Sequence, residues 1–415
     1  MSAKLGIALC LCAAATVQGS AFGASQPPGA PGQPSQQVSL PFRTHPDSEL
    51  TRSAFSHFFN MDYDEAIAEF REELKSYPDD PFVVNHLLAA ILAKELNREG
   101  AFDAALYTGN RFMEIKPEPV DPKLTSEVIE LAKKSQALAT AELQKNPSDA
   151  QALCARATAR GYEALFYAVV EKHWLAALRH ALGSYHDDEQ ALKLDPENPK
   201  AKFVVGSMLY VVGGLSWYAR MIAFVVTLHG NKQKGLQLLR EAANSDEEVS
   251  MDARMFLSLF LAREKQYSEG AGLMRRSYEE FPRNFIYGYS EAELLDASGQ
   301  RDAAIALYRE LIAAGERGQF PNARSESAAL SLGELFRKQK EYQDAAEVFD
   351  EAAKFPHPEK AIVAHCDLEA GQMYDLLGQR ETAVERYKQA LELVPNSDDS
   401  RAAARYLERP FRSGE

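Results

Sequence analysis

A helical register in the C-terminal stretch from Asp367 to Pro395 places the strongest constraint on the fold. Apolar and small residues recur there every three or four positions, which is close to one turn of an α-helix. Gly378 divides the pattern into two runs, and Pro395 ends the second run because proline cannot continue a helix. The sequence therefore predicts two amphipathic helices joined by a tight turn. A pair of this kind cannot bury its own apolar face and needs similar pairs stacked on it.

Similar pairs occur elsewhere in the chain. The stretch above and the unit before it share a register of small, aliphatic and aromatic positions, namely Gly371, Tyr374, Ala383, Tyr387, Ala390 and Pro395 in one and Leu332, Gly333, Phe336, Ala345, Phe349 and Ala352 in the other. Less complete copies lie around Leu295 and Leu261, and a close match lies near the start, from Asp62 to Pro78. This spacing resembles the tetratricopeptide repeat, a helix–turn–helix unit of about 34 residues.

The resemblance implies an all-α chain that folds as a right-handed superhelical α-solenoid of about nineteen helices. The register is followed by N-terminal units at 47–119 and by C-terminal units at 251–400. Residues 120–250 keep a helical pattern outside the strict register, and we interpret them as a divergent helical middle. Residues 401–415 are expected to form the end of a last helix and a tail.

Residues 1–24 have the composition of an export signal. Lys4 precedes an apolar core at 5–15, and small residues follow that core. Residues 25–46 are rich in Pro, Gly and Gln, and because this composition buries too little apolar surface to fold, we expect a disordered linker. The protein is therefore expected to be of an exported bacterial type, carried across the cytoplasmic membrane and either periplasmic or secreted.

An apolar segment at 203–228 contains a single charged residue, Arg220. A membrane span is one interpretation, because the charge-free part is near the lower length limit for crossing a bilayer. Two buried solenoid helices with a break at Gly213 and Gly214 are a second interpretation, which the double glycine and the cost of Arg220 in lipid favour. A third is a soluble segment that exposes part of its surface to a partner or a second copy.

Composition and motifs give no sign of catalysis. The formal net charge is −14, which disfavours nucleic acid and anionic membrane surfaces as partners because both select basic proteins. No phosphate-binding glycine loop, short zinc signature or serine nucleophile motif occurs in the sequence. We therefore expect no enzyme activity, no cofactor and no metal.

The histidines and cysteines are expected to be structural. His173 and His180 lie seven residues apart, and we interpret them as members of an amphipathic helix rather than as metal ligands. Removal of the signal would leave Cys154 and Cys366. Because the units of a solenoid contact only their neighbours, we expect two buried thiols rather than a disulfide.

The resemblance also implies a binding surface, because in tetratricopeptide arrays the first helix of each unit lines a concave groove that holds peptides. Carried over position by position, the groove candidates are Phe55, Phe58, Phe59, Lys94, Asn97, Arg98, Glu293, Asp296, Glu334, Arg337, Lys338, Gln372 and Asp375. The three phenylalanines are either anchors for a partner or packing under the N-terminal cap. Lys94, Asn97 and Arg98 only loosely resemble the clamp with which some family members hold a terminal carboxylate.

These features together predict an exported tetratricopeptide-repeat scaffold. Its expected role is to bind another protein or a peptide through the groove, with no catalytic activity of its own. The alternative is a membrane-attached assembly factor that uses the apolar segment at 203–228.

Overall fold

The computed structural model describes residues 48–101, 120–215 and 229–412, and these ranges contain 17 α-helices and no strand. The helices are α1 (Glu49–Phe59), α2 (Tyr63–Ser76), α3 (Pro81–Arg98), α4 (Pro122–Lys145), α5 (Ala150–Leu165), α6 (Trp174–Leu194), α7 (Pro199–Gly214), α8 (Lys232–Ala243), α9 (Val249–Arg263), α10 (Tyr267–Glu280), α11 (Phe285–Ala297), α12 (Arg301–Glu316), α13 (Ser327–Gln339), α14 (Tyr342–Phe349), α15 (Lys360–Leu376), α16 (Arg380–Leu393) and α17 (Asp398–Glu408). The all-α fold class predicted from the sequence is confirmed.

The helices fall into two compact units. The first ends at Lys265, after α9, and the second begins at Gln266, before α10. Within each unit, consecutive helices pack against each other in the helix–turn–helix pattern of a repeat protein. The predicted export signal and linker lie outside the described residues.

Helix starts in the first unit are set by capping side chains. The Asp80 carboxylate accepts a hydrogen bond from the Phe82 N–H (2.8 Å), and Pro81 supplies a backbone angle suited to the first turn of α3. Asp149 caps α5 in the same way by accepting from the Ala152 N–H (2.9 Å). These two caps fix where α3 and α5 begin.

The divergent middle is helical, and its two central helices are joined by an irregular turn. α5 continues into a π-helical turn at Phe166–Val170, and Lys172 then adopts a left-handed backbone with φ of 55° before α6 begins. Ion pairs cross the α5–α6 interface. Arg156 donates two hydrogen bonds to Asp187, at 2.9 and 2.7 Å, and Arg160 donates a third at 2.5 Å.

The apolar segment is described from residue 203 to residue 215, where it forms most of α7 and is buried in protein. The backbones of α7 and α8 approach each other closely at Gly206 and Gly235. A Cβ added to Gly235 of α8 would lie 2.6 Å from the Gly206 carbonyl oxygen, which is too close for a side chain. α7 ends at Gly214, at the predicted break. No helix in the described ranges has both the length and the apolar character needed to cross a membrane, and the remainder of the segment, 216–228, lies outside them.

The two helices of a pair in the second unit also pack closely, with a glycine of one helix against an aromatic ring of the other. A Cβ on Gly371 of α15 would lie 2.5 Å from the Tyr387 ring of α16, and one on Gly333 of α13 would lie 2.4 Å from the Phe349 ring of α14. The turn between α15 and α16 uses Gly378 with φ of +75°, a conformation that favours glycine. The two helices and the tight turn predicted between Asp367 and Pro395 are confirmed.

Candidate interaction surface

The first helices of successive repeats in the second unit, α11, α13 and α15, are linked side by side, and α17 follows α15 in the same relation. α13 packs on α15, and α15 packs on α17. The Tyr289 hydroxyl of α11 lies 2.7 Å from the Ser331 hydroxyl of α13. We use the term polar face for the surface that carries these linking residues and their helical neighbours, which are Tyr289, Glu293, Ser331, Glu334, Arg337, Lys338, His365, Glu369, Gln372 and Asp399.

An ion pair between Arg337 and Glu369 joins α13 to α15. The Glu369 side chain is only 8% exposed, and its second oxygen accepts a hydrogen bond from the Gln372 amide at 3.4 Å. Burial raises the pKa of the Glu369 carboxyl, and the Arg337 guanidinium works in the opposite direction. Two predicted groove candidates, Arg337 and Gln372, therefore share one carboxylate.

A second charged link joins α15 to α17. The His365 Nδ1 lies 3.1 Å from the Asp399 carboxylate. This hydrogen bond raises the pKa of His365, burial opposes the shift, and the carboxylates of Glu369 and Glu334 add to it. The electrostatic surroundings of the imidazole are therefore acidic on three helices.

Glu334 and Lys338 form the open part of the polar face. The Glu334 side chain is 37% exposed and the Lys338 side chain 65% exposed, with their charged atoms 3.7 Å apart. A pair this exposed is weak, because water screens it. The whole face carries four carboxylates, on Glu293, Glu334, Glu369 and Asp399, against the cations of Arg337 and Lys338.

Asp375, another groove candidate, is used inside the fold. Its side chain is 1% exposed and accepts hydrogen bonds from Arg380 (3.1 and 3.0 Å), the Tyr387 hydroxyl (2.9 Å) and the Phe411 N–H (2.8 Å). Arg380 also donates to the last carbonyl groups of α17, at Tyr406 (2.7 Å) and Leu407 (2.9 Å). Asp375 thus anchors the end of the described chain.

The aromatic candidates of the first unit are core residues. Phe55, Phe58 and Phe59 are 3%, 9% and 4% exposed. The Phe55 ring packs against Phe70 of α2 at 5.1 Å and against His86 of α3 at 4.9 Å between ring centroids. These contacts support the packing interpretation, because a partner could reach the rings only by opening the helix contacts.

The remaining candidates are paired within their own unit. Lys94 forms an ion pair with Asp64, and Arg98 donates two hydrogen bonds to Glu95, at 2.9 and 2.7 Å. Asn97, the next-to-last residue of α3, is half-buried. Asp296, in the second unit, lies 3.9 Å from Arg301. Contact of these residues with a partner stays a prediction.

The sequence pattern did not single out several members of the polar face, which are Tyr289, Ser331, His365, Glu369 and Asp399. Their spacing contained a usable signal, since Ser331 lies three residues from Glu334, and Glu369 lies three residues from Gln372, on the same helix faces. Asp399 lacked that signal because α17 follows the last recognisable repeat.

The two histidines discussed above lie in the first unit at the α5–α6 turn. His180 Nδ1 lies 2.9 Å from the Glu163 carboxylate, which also accepts from Gln136 at 2.7 Å, whereas the His173 side chain is 65% exposed. The part of the chain that the structure describes contains no group of three or more His, Cys, Asp or Glu side chains that could hold a metal ion. Cys154 and Cys366 are both buried and unpaired, as predicted, and burial raises the pKa of each thiol.

Comparison with known proteins gives a family match in the second unit. The family described as tetratricopeptide repeat matches residues 289–358 and again residues 366–397. These two stretches contain the polar-face residues of α11 and α13 and, on α15, Glu369 and Gln372, whereas His365 lies one residue before the second stretch. A search of curated proteins gives no match.

Similar solved structures have low sequence identity. They include the Cut9–Hcn1 hetero-tetramer of the APC/C (TM-score 0.42, 13% identity, covering 87% of this chain and 55% of that chain). Others are the pilF protein of Pseudomonas aeruginosa (0.33, 16%, 57% and 91%) and yeast Tom70 (0.31, 12%, 86% and 87%). The chain therefore spans about half of the first of these. The TM-scores lie below 0.5, so the family assignment rests on the two sequence matches.

Proposed function

Because the chain is a tetratricopeptide-repeat protein, we propose that its second unit binds another protein or a peptide through the polar face. The observation that carries this proposal is the alignment of polar side chains along successive first helices, most of them partly exposed, with Glu334 and Lys338 the most open to solvent. Side chains in such a row can contact an extended or helical segment at several points, which is how repeat proteins gain affinity from individually weak contacts.

We also propose that the protein acts as a scaffold without catalysis of its own and that it is exported. The composition of residues 1–24 supports export. The burial of Phe203, Val204 and Val205 in α7 favours the scaffold over a membrane-attached assembly factor, because side chains that pack inside the protein are not offered to lipid.

Site-specific photo-crosslinking tests the proposed surface in cells of the source organism. A benzoylphenylalanine side chain would replace Glu334 or Lys338 on the polar face, and in matched controls Glu385 or Glu392, which are exposed on α16. We expect a discrete covalent adduct from the two polar-face positions and none from the two α16 positions. Equal adducts from both pairs, or adducts from α16 alone, would overturn the proposal.

A further inference from the structure

The polar face already binds cationic side chains of its own chain. Its Glu369 carboxylate holds the Arg337 guanidinium, and its Asp399 carboxylate holds the His365 imidazole. Both contacts cross from one first helix to the next, so they belong to the packing of the repeats rather than to a single helix. The arrangement shows that carboxylates at these positions are placed to accept charged N–H donors from neighbouring segments.

Two carboxylates of the polar face remain partly exposed to solvent. The Glu334 side chain is 37% exposed and the Asp399 side chain 30% exposed, and both act electrostatically on His365. The only ion pair of Glu334 in the described residues is the exposed contact with Lys338 at 3.7 Å. An incoming cation would therefore meet accessible oxygen atoms in a negative field.

The face offers little to an apolar ligand. Among the described residues, the large hydrophobic side chains that are exposed are Leu175 and Leu194, and both belong to the first unit. The accessible groups of the polar face are hydroxyl, carboxylate, guanidinium, imidazole and ammonium groups. Recognition at this surface must consequently rest on charge and hydrogen bonding.

We propose that the partner segment bound by the polar face is cationic, and that lysine or arginine side chains of that segment bind the carboxylates of Glu334 and Asp399. This inference rests on the proposed function, because it names the chemistry of the segment that the same surface binds. Two charge-assisted hydrogen bonds of this kind fix the register of an extended chain and speed its approach.

An acidic segment fits the same face poorly. Of the two permanent cations, Arg337 is already bound to Glu369, and Lys338 lies beside Glu334. An incoming carboxylate would face the four carboxylates of the polar face, and repulsion of like charges opposes its binding.

The ionisation of His365 changes the affinity of the polar face for a cationic segment. The charged groups that act on its imidazole are Glu334 on α13, Glu369 on α15 and Asp399 on α17, and Arg337 of α13 is bound to Glu369. Because the hydrogen bond to Asp399 raises the pKa of His365, the imidazole is charged over a wider range of pH and then competes with an incoming cation for Asp399. Affinity for a cationic segment therefore increases as the pH rises through the pKa of His365, and His365→Gln reduces this dependence.

Selection from a random peptide library displayed on phage tests the inference with the full chain as bait. The comparison variant is E334Q/D399N, which removes two charges with little change in size. The control variant is E385Q/E392Q, which removes two exposed charges from α16. We expect peptides enriched in Lys and Arg from the wild type and the control, and affinities about three- to tenfold weaker for E334Q/D399N, since exposed ion pairs contribute modestly.

Each outcome decides between the two proposals. Enriched peptides that are neutral or acidic, or that bind E334Q/D399N as tightly as the wild type, would overturn the cationic partner while leaving a peptide-binding face intact. Failure to enrich any peptide would overturn the proposed function itself. Should the double variant fold poorly by circular dichroism, E334Q alone is measured across a range of salt concentrations. Affinity that is independent of salt would then contradict the proposal.

Discussion

The two units of the molecule use their polar side chains differently. In the first unit Asp187, 8% exposed, is held between Arg156 and Arg160, and its charge is satisfied inside the α5–α6 interface. In the second unit Glu334 and Asp399 are 37% and 30% exposed. The buried charge of Asp187 holds helices together, whereas the exposed charges of Glu334 and Asp399 are accessible to another molecule.

The difference follows from how the helices pack. The helix pairs of the second unit approach closely because Gly333 and Gly371 leave room for the Phe349 and Tyr387 rings. Apolar contact therefore supplies much of the cohesion there, and the exposed Glu334 and Lys338 of the polar face need not contribute to it. Asp375, buried among Arg380 and other donors, and Glu369, 8% exposed and bound to Arg337, are exceptions.

The largest effect on stability is expected from a substitution that removes a buried charge of the first unit. Asp187→Asn leaves the Arg156 and Arg160 guanidinium groups without their anionic partner, and because these groups are partly solvated, we expect a loss of about 3 kcal/mol in the free energy of unfolding. Urea unfolding followed by circular dichroism measures it. A matched Glu→Gln change at the exposed ion pair of Glu142 and Lys145 should cost little, and equal losses for the two variants would remove the distinction drawn here.

A slightly smaller loss is expected from the apolar packing of the second unit. Gly371→Ala places a methyl group against the Tyr387 ring and should cost about 2 kcal/mol by overpacking. Gly272→Ala is the matched control, because beyond the backbone of its own helix and its chain neighbours no atom of the described residues lies within 4 Å of the added Cβ. Alanine is also the better helix former, so this control should gain about 0.5 to 1 kcal/mol. Thermal unfolding of the two variants measures these changes in stability. A change in the same direction for both variants would contradict the account.

A smaller gain is expected when a buried charge of the second unit is removed. Burial raises the pKa of Asp367 from 3.8 to about 6, with Arg386 opposing the shift and Asp350 adding to it. The folded state holds this proton more tightly than the unfolded chain, so ionisation of Asp367 lowers stability as the pH rises from about 4 to about 6. Asp367→Asn should therefore be about 1 to 2 kcal/mol more stable than the wild type near pH 7.

Urea unfolding at a series of pH values checks this prediction. The advantage of Asp367→Asn should disappear below about pH 3, where the wild-type carboxyl is protonated in both states. Glu385→Gln on exposed α16 serves as the control. An advantage that persisted at low pH would show that the gain does not come from ionisation.

The smallest effect on stability is expected from a substitution at an exposed charge of the polar face. Glu334→Gln removes an exposed charge with one weak contact to Lys338, and the change in the free energy of unfolding should stay below about 0.5 kcal/mol. Chemical unfolding beside the wild type measures it. A loss above about 1 kcal/mol would mean that the face supports the fold and is not reserved for a partner.

The sequence predicted the helices well where local chemistry sets their ends. The start of α3 was predictable because Asp80 and Pro81 cap it, and the turn after α15 because Gly378 adopts a left-handed backbone. Such signals act over a few residues and are therefore visible in the sequence. The break at Gly213 and Gly214 belongs to the same class, and α7 does end there.

The sequence was less informative about which side chains meet across helices. The candidate list included Arg337 but omitted its partner Glu369, because the ion pair joins residues 32 positions apart and depends on how α13 packs on α15. The same limit explains why Asp375 was assigned to the groove although its side chain is buried by Arg380, Tyr387 and the chain after α17.

The central claim is that polar groups of the first unit maintain the fold and those of the second unit hold a partner. Its most direct test measures two quantities, the midpoint of urea unfolding and the Kd for a selected cationic peptide by calorimetry. We predict that Asp187→Asn lowers the midpoint and leaves the Kd unchanged, whereas E334Q/D399N weakens binding and lowers the midpoint much less than Asp187→Asn does. If Asp187→Asn weakened binding as much as E334Q/D399N, or if E334Q/D399N lowered the midpoint as much as Asp187→Asn, the claim would be contradicted.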